Sequence, residues 1–394
     1  MKALAGLKVI DFTHAISGPT CTNMLAQLGA EIVKIEPPGR GDGFRHYTEH
    51  GGAPMLSAPF ASINAGKASI AIDLKAAKGR RIARELIAGA DVVVENFRPG
   101  VLARLGLAPE MLRAADPRLI VVSISGFGQD GPMAQHGAYD HIVQAASGIA
   151  MLNANAAGPL KLGIPIIDAF TGYLAVIAVL TALRTRDATG AGAHLDIAMI
   201  DAALKLVNAT VAIHSYTGET PAGTGNRGFR LVATSEIYAT ADGWIALGAN
   251  EQRQVETLFR VLGAPEWIDD TRFASHDARV AHYDALRALL VERVAQCDAA
   301  MLERDLVANG VAAARVRTVG DIVTDPHIAA RGTLEPVELP GLGRPLNVVG
   351  AGIGTPARAG ARVPLLGEHT DAILAGLGVD PAHIAALRAG GVVA

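Results

Sequence analysis

The stretch KVIDFTHAISGPTCTNMLAQLGAEIVKIE, residues 8–36, decides the fold. Residues 8–12 are a short apolar run of strand length, 19–28 carry helical spacing, and 31–36 form a second strand pattern. Together they read as one strand–helix–strand unit. The pattern continues outward with strands at 69–74, 91–95 and 119–124 and a helix at 76–87. Short apolar strands alternating with amphipathic helices predict an α/β fold: a Rossmann-like large domain with a mostly parallel sheet covered on both faces. In such sheets ligands sit beyond the carboxyl ends of the strands. A site is therefore expected among segments 13–18, 37–45, 96–100 and 126–132.

The texture changes near residue 224. Residues 235–240 and 244–248 flank Ala241-Asp242-Gly243, a hairpin signal. Helical patterns follow at 251–262, 283–296 and 298–308. The expected organisation is a large domain over 1–216, a smaller α+β domain with a Gly-rich linker over 217–323, and a C-terminal segment, 324–394, returning to the large domain.

Composition narrows the function. Half of the 394 residues are hydrophobic and 19% are charged, enough for two or three domains with a sizeable core. A net charge of −3 and 4% aromatic residues offer neither a basic footprint nor stacking platforms, so no nucleic-acid partner is expected. Cys21 and Cys297 stand far apart without a CxxC, and the histidines form no ligand motif, so no metal is expected. The first eight residues carry no apolar signal core. The most apolar segment, 172–183, is shorter than the roughly 20 residues of a spanning helix. A cytoplasmic location and no membrane partner are the expectations.

Asp168 lies between an apolar run, 163–167, and an apolar helix pattern from Gly172 onward. A carboxylate there either caps the helix or, ionised and poorly hydrated near a helix N-terminus, serves as a nucleophile toward an activated acyl group. The local sequence leaves both readings standing. Segment 13–18 lacks G-x-G-x-x-G, so Glu36 at the end of the second strand is weak as a ribose-binding acid. There is no phosphate-cradling P-loop, and residues 123–128 are not a G-x-S-x-G elbow. Asn96-Phe97-Arg98-Pro99-Gly100, with Arg104 beyond, offers charge and stacking for a phosphate-bearing adenine nucleotide, or is an ordinary Pro-Gly turn. Lys75 points to the same sheet edge, or is a surface lysine. Tyr139-Asp140-His141 opens an apolar helix pattern, 142–151; an acid beside a histidine suggests proton transfer, against a helix-start Asp140 and a buried His141. Gly223, Gly225 and Gly228 form either a mobile flap or a linker.

At these residues the chain resembles the class III coenzyme A transferases, the CaiB/BaiF family. The markers are residues 4–6, Val9-Ile10-Asp11-Phe12, Gly18-Pro19, 28–36, Gly41-Asp42, 94–100, 126–132, Ala138-Tyr139-Asp140 and 364–370. Their order and spacing are highly specific and run over essentially the whole length. The resemblance implies that Asp168 is the catalytic aspartate. It implies contacts with coenzyme A (CoA) from His14, Ile16, Ser17, Ile72, Asp73, Leu74, Lys75, Asn96, Phe97, Arg98, Arg104, His136, Gly137, Ala138 and Tyr139. Asp140 and the glycines 223, 225 and 228 are auxiliary candidates. It also implies an interlocked homodimer, no tightly bound cofactor, and acyl-CoA and a carboxylic acid as substrates. CoA would pass through an aspartyl acyl-anhydride and an aspartyl-CoA thioester, with a succinyl-CoA-type or other dicarboxylate donor. Ile16 stands where formyl-CoA transferases carry a glutamine, which speaks against that substrate.

Two other functions fit the same fold. An α-methylacyl-CoA racemase-like isomerase needs two opposed acid–base groups, and His141 is displaced by two positions from where those enzymes carry their histidine. A non-catalytic CoA-binding protein would bind the nucleotide without forming a covalent acyl-enzyme.

Overall fold

A computed structural model describes residues 2–47, 56–221, 223, 225–226, 232–354 and 360–394. The described chain divides into two compact units, residues 1–149, 161–219 and 327–394, and residues 150–160 and 220–326. Segment 150–160, which the sequence reading leaves in the large domain, thus packs with the smaller unit.

The first unit is built on six strands, β1 (Lys8–Asp11), β2 (Glu31–Glu36), β3 (Ala68–Ala71), β4 (Val92–Glu95), β5 (Ile120–Ser125) and β6 (His194–Ala198). Their order is β3-β2-β1-β4-β5-β6 and every pairing is parallel. Val9 faces Ile32 on one side and Val92 on the other. β4 and β5 are buried along their whole length, as their Val/Ile-rich runs require. One face packs α1 (Ser17–Gln27), the other α2 (Ala77–Ala88). The strand order reverses between β1 and β4, and such a switch point opens a crevice at the carboxyl ends.

β6 is absent from the sequence reading. Its five residues, His-Leu-Asp-Ile-Ala, alternate polar and apolar at the sheet edge, and the pattern is too short to stand out. The apolar pattern 142–151 is not one helix. α3 (Asp140–Ala146) ends, and Gly148 adopts φ +84° before a separate turn of helix.

The apolar run 172–183 is the middle of a longer helix, α4 (Ile166–Thr189), of 24 residues. This corrects the length argument against a membrane span: the helix is long and apolar enough to cross a bilayer. The polar flanks Asp168 and 184–189 hide its true ends from a hydropathy reading. Ala175, Val176, Val179 and Ala182 are buried with Cys21, Leu25, Val94 and Val122 in the sheet core, and Arg186 pairs with Asp91 at 3.1 Å. α5 (Met199–Leu206) follows β6. In the tail of this unit Val393 bridges Ile72, and His369 N–H donates to Ser69 O beside β3.

The second unit carries the hairpin β7 (Ile237–Ala239) and β8 (Trp244–Gly248), joined by a third antiparallel strand, β9 (Ala312–Arg315). β9 reads Ala-Ala-Ala-Arg, with no β-branched residue to announce it. Tyr238, Ile245, Leu258, Phe259, Leu286, Leu290 and Leu306 form its core.

Candidate active site

The crevice at the β1/β4 switch point holds a cleft of about 370 Å3 within the first unit. One wall is the turn after β1, with His14, Ala15 and Ser17; another is Asn96-Phe97-Arg98-Pro99 after β4. The Asn96 amide ties the two together, accepting from His14 N–H at 2.9 Å and donating to His14 O at 2.8 Å. Ala15 takes φ +62°, a conformation few non-glycine residues adopt, and its N–H donates to Asp42 Oδ1 at 3.1 Å.

Buried charges fix this turn from below. Asp11 accepts from Thr13 N–H at 2.8 Å and pairs with Lys67 at 3.0 Å. Lys34 donates to Thr13 O at 2.6 Å and pairs with Asp42 at 3.1 Å. Burial would raise the Asp11 and Asp42 carboxyls, but the lysines outweigh it and hold both well below the usual carboxylate range. Burial pushes Lys67 down to about 8. Glu36 is spent in the same layer on a bidentate pair with Arg45, both bonds 2.7 Å, and on the Ser69 hydroxyl. It is a scaffold acid, not a ribose ligand.

The floor of the cleft is where the N-termini of α1 and α4 meet. A Cβ on Gly172 would fall 2.6 Å from Ser17 O and 2.7 Å from Thr20 Cβ, so only glycine lets the helices approach this closely. One turn earlier, Asp168 therefore lies against Ser17. Asp168 does not cap its helix: α4 begins at Ile166, ahead of it, and the cap residue, Pro165, has no side-chain bond to give. The cap comes from α3. Asp140 Oδ2 accepts from Ile167 N–H at 2.7 Å and Asp168 N–H at 3.1 Å. Burial, and next the Asp140 charge, push the Asp168 carboxyl up to about 6, against hydrogen bonds from the Ser17 hydroxyl and N–H. It stays mainly ionised at neutral pH but unusually basic, the condition of a carboxylate that attacks carbon.

The third wall is segment 134–139. A Cβ on Gly126 would stand 2.1 Å from Ala138 Cβ, so the glycine after β5 seats this segment on the strand end. Behind β4, Glu95 accepts from Phe97 N–H at 2.8 Å, and burial pushes its carboxyl up to about 7.

Of the residues expected at the site, His14, Ser17, Asn96, Phe97, Arg98, His136, Gly137, Ala138, Tyr139 and Asp168 line the cleft. Asn96 does so with its amide already engaged by His14. Tyr139 is 74% exposed, its ring stacked on that of His141, which is exposed and not buried in the helix. Ile16, Ile72, Asp73, Leu74, Lys75 and Arg104 do not line the cleft. Ile72 is 1% exposed, so its side chain belongs to the core, and Leu74 packs against that core. Asp73 Oδ1 is occupied by Lys75 N–H at 2.9 Å, while Lys75 and Arg104 are solvent-exposed beyond the cleft. Asp140 is 8% exposed and turns away from the cleft toward α4. Gly223 and Gly225 lie in the second unit, and Gly228 lies outside the described residues. Ala15, Pro99 and Gly126 lie in segments flagged by the strand-end rule. Met199 also lines the cleft and was missed because it follows β6, the strand that was not read.

Known proteins agree with this architecture. The model of CoA-transferase family III matches residues 4–370. An acetyl-CoA:oxalate CoA-transferase of Acetobacter aceti is 39% identical over 84% of this chain and 84% of its own. A succinyl-CoA–D-citramalate CoA-transferase of Chloroflexus aurantiacus is 35% identical over 100% of this chain and 98% of its own. The crystal structure of a CAIB/BAIF family protein from Brucella suis superposes with a TM-score of 0.86 at 34% identity, covering 95% of this chain and 99% of that one. A match of this length, with relatives that share both sequence and fold, settles the class: the chain belongs to CoA-transferase family III, enzymes that move coenzyme A from an acyl-CoA thioester to a carboxylic acid.

Proposed function

We propose that this enzyme transfers CoA by covalent catalysis on Asp168, with a succinyl-CoA-type or other dicarboxylate donor. One observation carries the reading. Asp168 is the sole carboxylate among the described residues lining the cleft, it is half-buried, and its basicity is raised.

An Asp168 oxygen attacks the thioester carbonyl carbon, the C–S bond breaks, and CoA leaves as thiolate, giving a mixed anhydride. The thiolate then attacks the aspartyl carbonyl of that anhydride. The donor acid departs as carboxylate and Asp168 becomes an aspartyl-CoA thioester. The acceptor carboxylate attacks this thioester, displacing the thiolate and forming a second anhydride. Thiolate attack on the acceptor's acyl carbon releases the new acyl-CoA and restores Asp168. Each step exchanges one activated acyl bond for another, so the energy of the thioester is conserved. The N-termini of α1 and α4 favour the negative charge developing on oxygen at the cleft floor. Arg98 and the two imidazoles, His14 and His136, supply donors for the phosphates and pantetheine of CoA.

The dicarboxylate rests on relatives whose names pair succinyl-CoA with such acids, among them a succinate–glutarate CoA-transferase of Agrobacterium fabrum, 34% identical over 95% of both chains. The reading also takes two copies of this chain, interlocked, as the working enzyme. Tyr173 and Ile177 on α4, and Tyr216 and Ile213 of Asn208–Thr217, are exposed apolar side chains suited to cover by a second copy.

The test is mass spectrometry of the enzyme after incubation with succinyl-CoA, with hydroxylamine to trap the activated aspartyl group. A hydroxamate on the Asp168 peptide, absent from Asp168→Ala, is the expected result. An unmodified Asp168 in an actively turning-over enzyme would refute the covalent route.

A further inference from the structure

Helix α4 is capped in an unusual way. Its N-cap residue, Pro165, makes no side-chain bond, and a carboxylate from another helix, Asp140, accepts from the N–H groups of Ile167 and Asp168 instead. Asp140 is fixed in turn by Gln144, whose Nε2 donates to Oδ1 at 2.5 Å while its Oε1 accepts from Leu162 N–H at 2.8 Å. The charge of Asp140 is thereby held at the same helix end as Asp168.

A serine or asparagine would satisfy the same N–H groups without charge. The charge is thus more than the hydrogen bonding requires, and its effect falls on Asp168. The helix end and the Ser17 donors both favour an ionised Asp168. Burial opposes them first and the Asp140 charge second; without that opposition Asp168 would be a weak base and a sluggish nucleophile. Other charged or titratable groups lining the cleft with Asp168 are His14, Arg98, His136 and Tyr139; α5 contributes only Met199. Asp140 stands outside this lining, and it is the carboxylate bonded to the N–H of Asp168 itself.

We propose that Asp140 is a positioning residue for CoA transfer: its carboxylate anchors the start of α4 and, by its charge, keeps the Asp168 carboxylate nucleophilic. This rests on Asp168 being the nucleophile, and it makes Asp140 neither a proton carrier nor a ligand of CoA.

The experiment compares full-length Asp140→Asn, Asp140→Glu and Asp168→Ala enzymes. The ionisation of Asp168 is read without turnover, from the pH midpoint of carbodiimide labelling on its peptide. Single-turnover formation of the aspartyl-CoA thioester from succinyl-CoA is timed in parallel. Asp140→Asn keeps an acceptor for the helix end and loses the charge. Its midpoint is expected to move down by about one pH unit. Its single-turnover rate should fall about three- to tenfold, with the donor KM within about twofold of the parent. Asp140→Glu restores the midpoint. Asp140→Ser, a second neutral cap, takes the place of Asn should that variant not fold. An unmoved midpoint in a folded neutral variant, with Asp168→Ala inactive, overturns the role of Asp140 alone. Transfer surviving in Asp168→Ala overturns the nucleophile reading beneath it.

Discussion

Replacing Asp168 with asparagine should remove transfer and at the same time make the protein more stable, by an amount that depends on pH. The carboxyl is raised from 3.8 to about 6, first by burial and then by Asp140. A carboxyl whose folded pKa lies above its unfolded value holds its proton more tightly in the native state. Folding stability therefore falls as pH rises from about 4 to about 6, and above that the full cost persists. A tenfold change in ionisation is worth about 1.4 kcal/mol, so a rise of about two pH units sets a ceiling near ~3 kcal/mol. Water reaches the half-buried carboxyl, and screening reduces the expected gain to roughly 1–2 kcal/mol. Asparagine matches aspartate in shape and can still accept from Ser17, but carries no charge. Urea unfolding of both proteins between pH 4 and pH 8, monitored by circular dichroism, gives the difference directly. The curves should nearly coincide at pH 4 and separate to a plateau above pH 7, with Asp168→Asn the more stable. A variant equally or less stable at pH 8 would refute the electrostatic account of the site.

Other consequences follow from the packing. Gly172→Ala puts a methyl group 2.6 Å from Ser17 O. It should cost about 1–3 kcal/mol and lower kcat by prising Asp168 from Ser17, checked by thermal unfolding and single-turnover kinetics. Lys67→Met leaves Asp11 without its 3.0 Å partner under the His14 turn and should cost about 3–5 kcal/mol, read from the urea midpoint. Arg98→Ala should raise the KM for the acyl-CoA donor about tenfold or more with kcat little changed, since a charge-assisted bond to phosphate is lost; an unchanged KM removes Arg98 from the site. Ile177→Glu, on the exposed face of α4, should shift the proposed dimer toward monomer in sedimentation velocity; a parent enzyme that sediments as a monomer refutes the dimer.

The alternation of strands and helices was legible because the central strands carry short Val/Ile-rich runs such as Val92–Glu95 and Ile120–Ser125. The strand-end rule then marked the turn 13–18 and the segment 96–100, both of which form the cleft. Four of the described strands escaped: β6, a half-polar edge strand; β9, a run of alanines with no preference for extended backbone; and the antiparallel pair Leu334–Val337 and Leu346–Val349, short and, in the first, interrupted by Pro336. Met199 was lost along with β6. The family markers Asp11, Glu36 and Asp42 proved to be buried braces beneath the site rather than parts of its lining. Residues 72–75 and Arg104 stand at the right sheet edge, but their side chains are buried, self-bonded or out in solvent.

Sequence by itself determined the α/β class and the family, and pointed to Asp168 as the candidate nucleophile through the family resemblance, because periodicity and short motifs are written along the chain. Tertiary structure alone decided what surrounds that carboxylate. Ser17, Asp140 and Asp168 are separated by more than a hundred residues or by an intervening helix and come together only where two helices close on a glycine. Burial and the field of a charge from another helix depend on distance in space, and no local pattern encodes them.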